Sequence, residues 1–244
     1  MRYSLRTFGG LALIDNETGE PVAENRRKAL AILAILAVAG DLAVSRDKVA
    51  AYLWGDGNPD RVRGVLKQTL YILKKDLADA EPVTGGPDLR LNHALIGDDL
   101  ALFEQAAREH DSMQVVDLYR GPFLDGFHLP EAPRFEHWVD TQRDRLARIF
   151  ASHVERVALA AMGRGDSQAA VDWWARVVEF DPYDTRAVSG LLHACLAAGD
   201  RPRAILLAER HMGLLRKQLE ITPDPEIRRL VELARARPVA GTGN

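Results

Sequence analysis

The sequence has few of the features that mark secreted, membrane-spanning or disulfide-stabilised proteins. Its single cysteine, Cys195 in 244 residues, excludes an internal disulfide and a cysteine-rich metal site. The most apolar run, from Ala29 to Ala39, is shorter than the roughly 20 residues that a bilayer requires, and it begins too late for a signal peptide. We therefore expect a buried helix here, in a cytoplasmic protein with no membrane partner.

Motifs for catalysis and cofactor binding are also missing. The seven histidines include no H-E-x-x-H pair, and the chain has neither a G-x-x-x-x-G-K-[ST] nor a G-x-G-x-x-G string. We expect the histidines to be surface or capping residues and Cys195 to be a small buried apolar residue. The sequence thus predicts no catalytic residue, no metal and no cofactor.

The charge is unevenly distributed along the chain. Residues 1–93 contain 13 Lys/Arg and 12 Asp/Glu, net +1, which leaves 19 and 23, net −4, in residues 94–244. The stretch from Pro59 to Lys75 has Asp60 as its only acidic residue and a local net charge of +4. We therefore expect an acidic-ligand site in the first part of the chain. The five basic residues of this stretch are Arg61, Arg63, Lys67, Lys74 and Lys75.

The first ninety residues show an order of elements that is typical of one DNA-binding fold. The pattern predicts a strand pair over 3–14, a helix over 26–39, a helix capped by Ser45, a third helix over 59–77, and a hairpin around Gly85-Gly86-Pro87. Strands, three helices and a closing hairpin form an α+β winged helix-turn-helix. In that fold the third helix is free to enter the major groove of DNA.

The third predicted helix has one apolar face and one basic face. Leu66, Leu70, Leu73 and Leu77 follow helical spacing and predict the buried side. The opposite side contains no acidic residue, whereas a merely solvated face usually mixes charges of both signs. Gly64 lies within it, as a site of close backbone approach or as a tolerated weakness of the helix. The residues predicted on this side are Arg61, Arg63, Lys67, Gln68, Tyr71, Lys74 and Lys75.

These residue types suggest two kinds of contact with DNA. Lys67, Gln68 and Tyr71 are placed to reach base edges, whereas the other four basic residues would contact phosphates. The predicted hairpin adds only Arg90 near its base. The basic run over 26–28, Arg26, Arg27 and Lys28, is a weaker candidate.

The second half of the chain predicts an all-α helical repeat domain. Gly165-Asp166 recurs as Gly199-Asp200, an offset of 34 residues that is typical of tetratricopeptide repeats. At the same offset, small residues that would let helices cross closely recur as Ala160 with Ala194 and Ala170 with Ala204. A looser copy begins at His110-Asp111, and a long amphipathic helix is expected over 134–162. Trp138, Trp173 and Trp174 are expected in the core. Stacked helix pairs of this kind form protein-binding modules.

Several strings resemble the antibiotic-regulatory-protein (SARP) family of bacterial transcriptional activators. LYRGPFLDGF from Leu118 and FEHWVDTQRDRL from Phe135 are similar to its bacterial transcriptional activator domain (BTAD). SRDKVAAYLWG from Ser45 and LKQTLYILKKDL from Leu66 resemble the two helices of its OmpR-like winged helix-turn-helix. The resemblance implies a DNA-binding domain over 1–95, an activator domain over 96–235 and a flexible tail over 236–244.

The resemblance also implies partners. Members bind tandem copies of direct repeats and contact RNA polymerase, so we expect double-stranded promoter DNA, RNA polymerase and a homodimer, at least on DNA. The chain departs from the family pattern at Ile72 and Tyr71, where an arginine and a small polar residue, respectively, are frequent, so one phosphate contact is expected to be missing. The alternative is a helical-repeat adaptor or ligand sensor whose winged helix binds protein rather than DNA.

Overall fold

The structure is a computed structural model that describes residues 1–55, 57–218, 220, 222 and 224–236. The chain divides into two compact units, one over residues 1–150 and one from residue 151 onward. Except for its first residue, Ala236, the predicted tail over 236–244 lies outside the described residues.

The first unit combines two small sheets with helices. One sheet has four strands and the other has three. In chain order the elements are β1 (Tyr3–Arg6), β2 (Ala12–Asp15), β3 (Pro21–Val22), α1 (Arg27–Ala39), β4 (Val44–Ser45), α2 (Arg46–Trp54), α3 (Pro59–Asp76), β5 (Val83–Thr84), β6 (Asp88–Leu91), β7 (Ile96–Asp98), α4 (Asp99–Arg108), α5 (Ser112–Leu118) and α6 (Pro133–Gly163). The four-stranded sheet has the order β3-β2-β1-β7, in which β1 is antiparallel to β2 and parallel to β7, and the second sheet has the order β4-β6-β5.

The order of elements predicted for the first ninety residues is confirmed. Helix α1 is buried at every position from Ala29 to Ala37, as a continuous apolar run requires. The side chain of Ser45 accepts a hydrogen bond from the backbone N–H of Lys48 at 3.2 Å and so caps α2. The predicted hairpin forms from β5 and β6. The sequence pattern missed β3, β4 and β7, because strands of two or three residues are too short to show alternation.

The second unit is helical throughout its described part. It contains the end of α6, followed by α7 (Ser167–Phe180), α8 (Thr185–Ala197), α9 (Arg201–Gln218) and α10 (Pro225–Arg235). Helices α7 and α8 cross closely at Gly190, because a Cβ there would lie 2.5 Å from the ring of Trp174. Trp174 is buried as predicted, whereas Trp138 and Trp173 are only half-buried.

The 34-residue repeat is visible in the turns before α7 and α9. Gly165 and Gly199 adopt positive φ angles of 77° and 79°, which glycine tolerates. The next residue in each turn, Asp166 or Asp200, donates its backbone N–H to the carbonyl five residues earlier, at 3.0 and 2.8 Å. Each aspartate side chain then caps the following helix. The looser copy has the same turn, since His110 has a φ of 61° and precedes the cap Asp111.

Two details of the predicted packing are wrong. Ala160 is exposed whereas Ala194 is fully buried, and the pair that matches in burial is Ala161 with Cys195. Compact residues therefore recur one position later than the sequence comparison suggested, while the pair Ala170 and Ala204 is confirmed as buried. His153 and His211 are buried rather than at the surface, each at 4% exposure.

Candidate nucleic-acid interface

Helix α3 begins with two local signals that fix its first turn. The Asn58 side chain accepts hydrogen bonds from the backbone N–H groups of Asp60 and Arg61 at 3.1 and 3.2 Å. Pro59, the first helical residue, lacks an N–H that would otherwise be unpaired and has a φ suited to the helix. The helix then continues to Asp76.

The leucine stripe orients α3 by burying one side of it. Leu66 and Leu73 are fully buried, Leu77 is buried directly after the helix, and Leu70 is half-buried. The hydroxyl of Tyr3 donates a hydrogen bond to the carbonyl of Leu77 at 3.5 Å, which links the end of α3 to β1. Because this side faces the core, the opposite side of α3 faces solvent.

All seven residues predicted for the basic side lie together on α3. Six of them are exposed, with Tyr71 at 54%, and Lys74 is half-buried. Arg90 is exposed on a different element, strand β6. Gly64 is open to solvent, since a Cβ there would meet nothing within 4 Å, so both interpretations of this glycine stand.

The prediction that acidic residues are absent from the basic side of α3 is wrong, because carboxylates lie against three of its basic side chains. Arg63 Nε lies 3.3 Å from Asp47 Oδ1, and Lys75 Nζ lies 2.8 Å from Asp79 Oδ1. Lys74 forms an ion pair with Glu81. These three carboxylates come from α2 and from the segment after α3, so a helical wheel of α3 alone could not include them. Asp60, seven residues before Lys67, lies on the same side of α3 itself and was overlooked. We call Asp47, Asp79 and Glu81 the acidic rim.

The ion pairs favour the charged forms of their members. A hydrogen bond from Lys75 lowers the pKa of Asp79, and the same contact raises the pKa of Lys75. A hydrogen bond to Asp47 raises the pKa of Arg63. All of these groups are exposed, and ion pairs in water are weak. Phosphate oxygens could therefore replace the carboxylates at little cost.

Three residues of the basic side have no charged partner in the described part of the chain: Arg61, Lys67 and Gln68. Lys67 and Tyr71 line a groove of about 240 Å³ between α3 and the β5–β6 hairpin. Arg61 and Lys67 can donate hydrogen bonds to a ligand, and Gln68 can donate or accept them, without first breaking an ion pair.

Sequence reasoning missed Arg46, which joins α2 to the hairpin. Its Nε donates to the carbonyl of Gly86 at 2.6 Å, and its backbone N–H donates to the carbonyl of Pro87 at 3.0 Å. The turn requires glycine at position 85, where φ is +101° and a Cβ would lie 2.0 Å from the carbonyl oxygen of Asp88. The SRDK string shows Arg46, but its contact with the hairpin depends on the pairing of β4 with β6.

The basic run over 26–28 is engaged in contacts within the first unit. Arg26 Nε lies 2.8 Å from Asp76 Oδ2, the Arg27 guanidinium lies 4.6 Å from the ring centre of Phe127, and Lys28 Nζ lies 5.1 Å from that of Trp54. These side chains stabilise the packing around α1 and are less available to a ligand than Lys67.

The exposed basic side of α3 is suited to binding an anion. Among the residues that the structure describes, no group of three or more His, Cys, Asp or Glu side chains could hold a metal ion. In the same part of the chain, no helix is long and apolar enough to cross a membrane.

Comparison with known proteins places the chain in a family. Residues 97–233 match the family model of the bacterial transcriptional activator domain. The structure is similar to Mycobacterium tuberculosis EmbR, solved in complex with a low-affinity phosphopeptide, with a TM-score of 0.68 and 21% sequence identity over 96% of this chain. This chain spans 65% of the length of that one. None of the curated proteins matches significantly. Because the family model covers more than half of the chain, the protein belongs to the bacterial transcriptional activator domain family, which confirms the resemblance to the SARP regulators.

Proposed function

We propose that the protein is a cytoplasmic, sequence-specific DNA-binding transcriptional activator. In this proposal residues 1–95 act as an OmpR-like winged helix-turn-helix, and residues 96–235 act in dimerisation and in activation contacts with RNA polymerase. Membership of the bacterial transcriptional activator domain family supports the regulatory role. The solvent-facing basic side of α3 carries the proposal of DNA binding.

The side chains of α3 divide into two roles when the helix lies in the major groove. Lys67, Gln68 and Tyr71 lie in the middle of the exposed side and reach base edges, where lysine pairs best with guanine and glutamine with adenine. Arg61 binds phosphate directly. Arg63, Lys74 and Lys75 bind phosphates after releasing the acidic rim, and Arg90 approaches the DNA from the hairpin.

The number of basic groups favours two copies of the protein on promoter DNA. Affinity for duplex DNA grows with the number of phosphates neutralised, and α3 offers only five basic side chains. Arg63, Lys74 and Lys75 must give up a carboxylate before they bind a phosphate, so these three side chains add little to the affinity for DNA. Binding of a homodimer to two direct repeats would multiply the weak affinities of the two copies.

The experiment that tests the proposal is a selection of duplexes from a random library by the full chain at low salt. We expect enrichment of a motif present as two direct repeats, and retention that decreases strongly as salt is raised. The double variant Arg61→Ala/Lys67→Ala should retain at most a tenth of the duplex. The matched control Arg216→Ala/Arg228→Ala removes two exposed charges from α9 and α10 and should behave as the parent.

One observation favours a second candidate function. The acidic rim neutralises three of the five basic side chains of α3, which is unexpected of a surface used only for phosphates. In the adaptor alternative, the winged helix binds protein instead. Failure of the parent to retain any duplex at micromolar protein and low salt would favour this alternative.

A further inference from the structure

Helix α9 carries as many basic side chains as α3, although it lies in the acidic half of the chain. Glu209 is its only acidic residue, which gives α9 a net charge of +4. The expectation of an acidic-ligand site in the first part alone overlooked this helix, because residues 94–244 average to a net negative charge. The five basic residues are Arg201, Arg203, Arg210, Arg216 and Lys217.

Helix stability explains only part of this charge, since Arg216 and Lys217 lie in the last turn of α9, where the helix dipole favours positive charge. Arg201 and Arg203 lie in the first turn of α9, where the helix dipole disfavours positive charge. The side chains of Arg203 and Arg210 form no ion pair with any residue that the structure describes. The stripe formed by Arg203, in the first turn, and Arg210, in the middle of the helix, is better explained by an external anion.

The stripe borders an apolar groove within the second unit. Val188 and Leu191 of α8 form its buried floor, and α7 and α9 form its walls, which enclose about 390 Å³. The apolar wall residues are half-buried and therefore still partly exposed to water. The walls include Val178 and Glu179 of α7 and Arg203, Leu207, Arg210 and Leu214 of α9.

Hydrogen bonds of His211 fix the position of one groove wall. His211 lies in the wall at 4% exposure, with Nδ1 3.0 Å from the carbonyl of Pro182 and Nε2 3.2 Å from Thr185 Oγ1. These contacts join α9 to the α7–α8 connection and use both ring nitrogens. The apolar surface is therefore formed before any ligand binds, which reduces the entropy lost on binding.

The spacing of the α9 wall residues indicates the shape of the ligand. Arg203, Leu207, Arg210 and Leu214 follow one another at intervals of four, three and four, so they share one side of α9 over about 16 Å at 1.5 Å per residue. A strip of this length is suited to a helix lying in a groove, which contacts it through apolar residues one turn apart. The two arginines are seven residues, or about 10 Å, apart on it.

We propose that this groove binds an amphipathic helix of a protein partner, with acidic residues seven positions apart that pair with Arg203 and Arg210. The apolar walls disfavour DNA, whose phosphates and sugars would leave them uncovered. The chain's own residues 237–244 are unsuited as the occupant, because they contain Arg237 and no acidic side chain. A basic residue of the partner helix would pair with Glu179 on the opposite wall.

The experiment is a selection on the full chain. Sixteen-residue peptides, displayed in a helical scaffold and randomised on one side, are selected on the parent and retested on Arg203→Glu/Arg210→Glu. The matched control, Arg216→Glu/Lys217→Glu, reverses two charges of the same helix outside the groove lining. Circular dichroism melting checks the fold, and Arg203→Gln/Arg210→Gln replaces the first variant if that variant is unfolded.

The proposal predicts peptides with an acidic pair seven residues apart and apolar residues between. Their affinity should fall at least about tenfold on the groove variant and stay unchanged on the control. Peptides in which lysine replaces the acidic pair should bind the Glu variant better than the parent. Peptides without acidic pairs, affinities insensitive to the groove variant, or displacement by duplex DNA would overturn the proposal. A parent dimer that Leu207→Glu converts to monomer would assign the groove to a second copy and also overturn it.

Discussion

Helices α3 and α9 each carry five basic side chains, but their surroundings differ. On α3 the acidic rim pairs with three of them, and the exposed side includes polar Gln68 and Tyr71. On α9 the two groove arginines have no ion pair in the described residues, and the half-buried Leu207 lies between them. In the two proposals, the same number of basic side chains therefore serves two purposes: a polar, solvated face would bind the DNA backbone and base edges, whereas an apolar groove would bind an acidic helix.

The largest expected effect is on the packing that forms the groove. Gly190→Ala places a Cβ 2.5 Å from the Trp174 ring, so the free energy of unfolding should fall by about 3 kcal/mol. Urea denaturation measures this change. The matched control Gly213→Ala on α9 has nothing within 4 Å of its new Cβ and should raise stability by about 0.5–1 kcal/mol. Equal effects of the two substitutions would contradict the close crossing of α7 and α8.

Base reading by α3 should be the next largest effect. Gln68→Ala should reduce discrimination at one base pair of the selected motif by about 1–3 kcal/mol, because the amide that would pair with the base is removed. Competition between the preferred duplex and single-base variants measures the loss. Lys75→Ala is the control, since loss of a phosphate contact weakens binding to all duplexes and leaves the preference unchanged. Full discrimination by the Gln68 variant would show that this side chain reads no base.

The acidic rim should have a smaller effect of opposite sign. Asp79→Asn and Glu81→Gln release Lys75 and Lys74 from their ion pairs, so affinity for every duplex should rise about two- to fivefold. Fluorescence anisotropy at low salt measures the change. Asp117→Asn on α5 removes an equal charge at an exposed position and controls for net charge. An equal increase in all three variants would assign the effect to net charge alone, and no increase in the two rim variants would contradict the role of the acidic rim.

Local patterns predicted much of the fold, whereas contacts between segments required the structure. The apolar run predicted α1, the leucine spacing predicted α3, and the Gly-Asp recurrence predicted the repeated turns, because each depends on residues close in sequence. The acidic rim was missed because Asp47 and Glu81 reach α3 through tertiary folding.

The same limit applies to the second unit. The burial of His211 depends on Pro182 and Thr185, which lie almost 30 residues earlier in the chain. The charge of α9 could have been read from the sequence, but averaging over residues 94–244 concealed it. The position of α9 beside an apolar groove could not have been read from the sequence, since the groove walls come from two different helices.

The salt dependence of duplex binding tests most directly whether α3, and not α9, contacts DNA. The full-chain parent, Arg61→Ala/Lys67→Ala and the α9 variant Arg216→Ala/Lys217→Ala would be compared by plotting the logarithm of affinity against the logarithm of salt concentration. We predict that the slope becomes shallower by about two units for the α3 variant and stays at the parental value for the α9 variant. A slope reduced by the α9 variant and unchanged by the α3 variant would contradict the assignment.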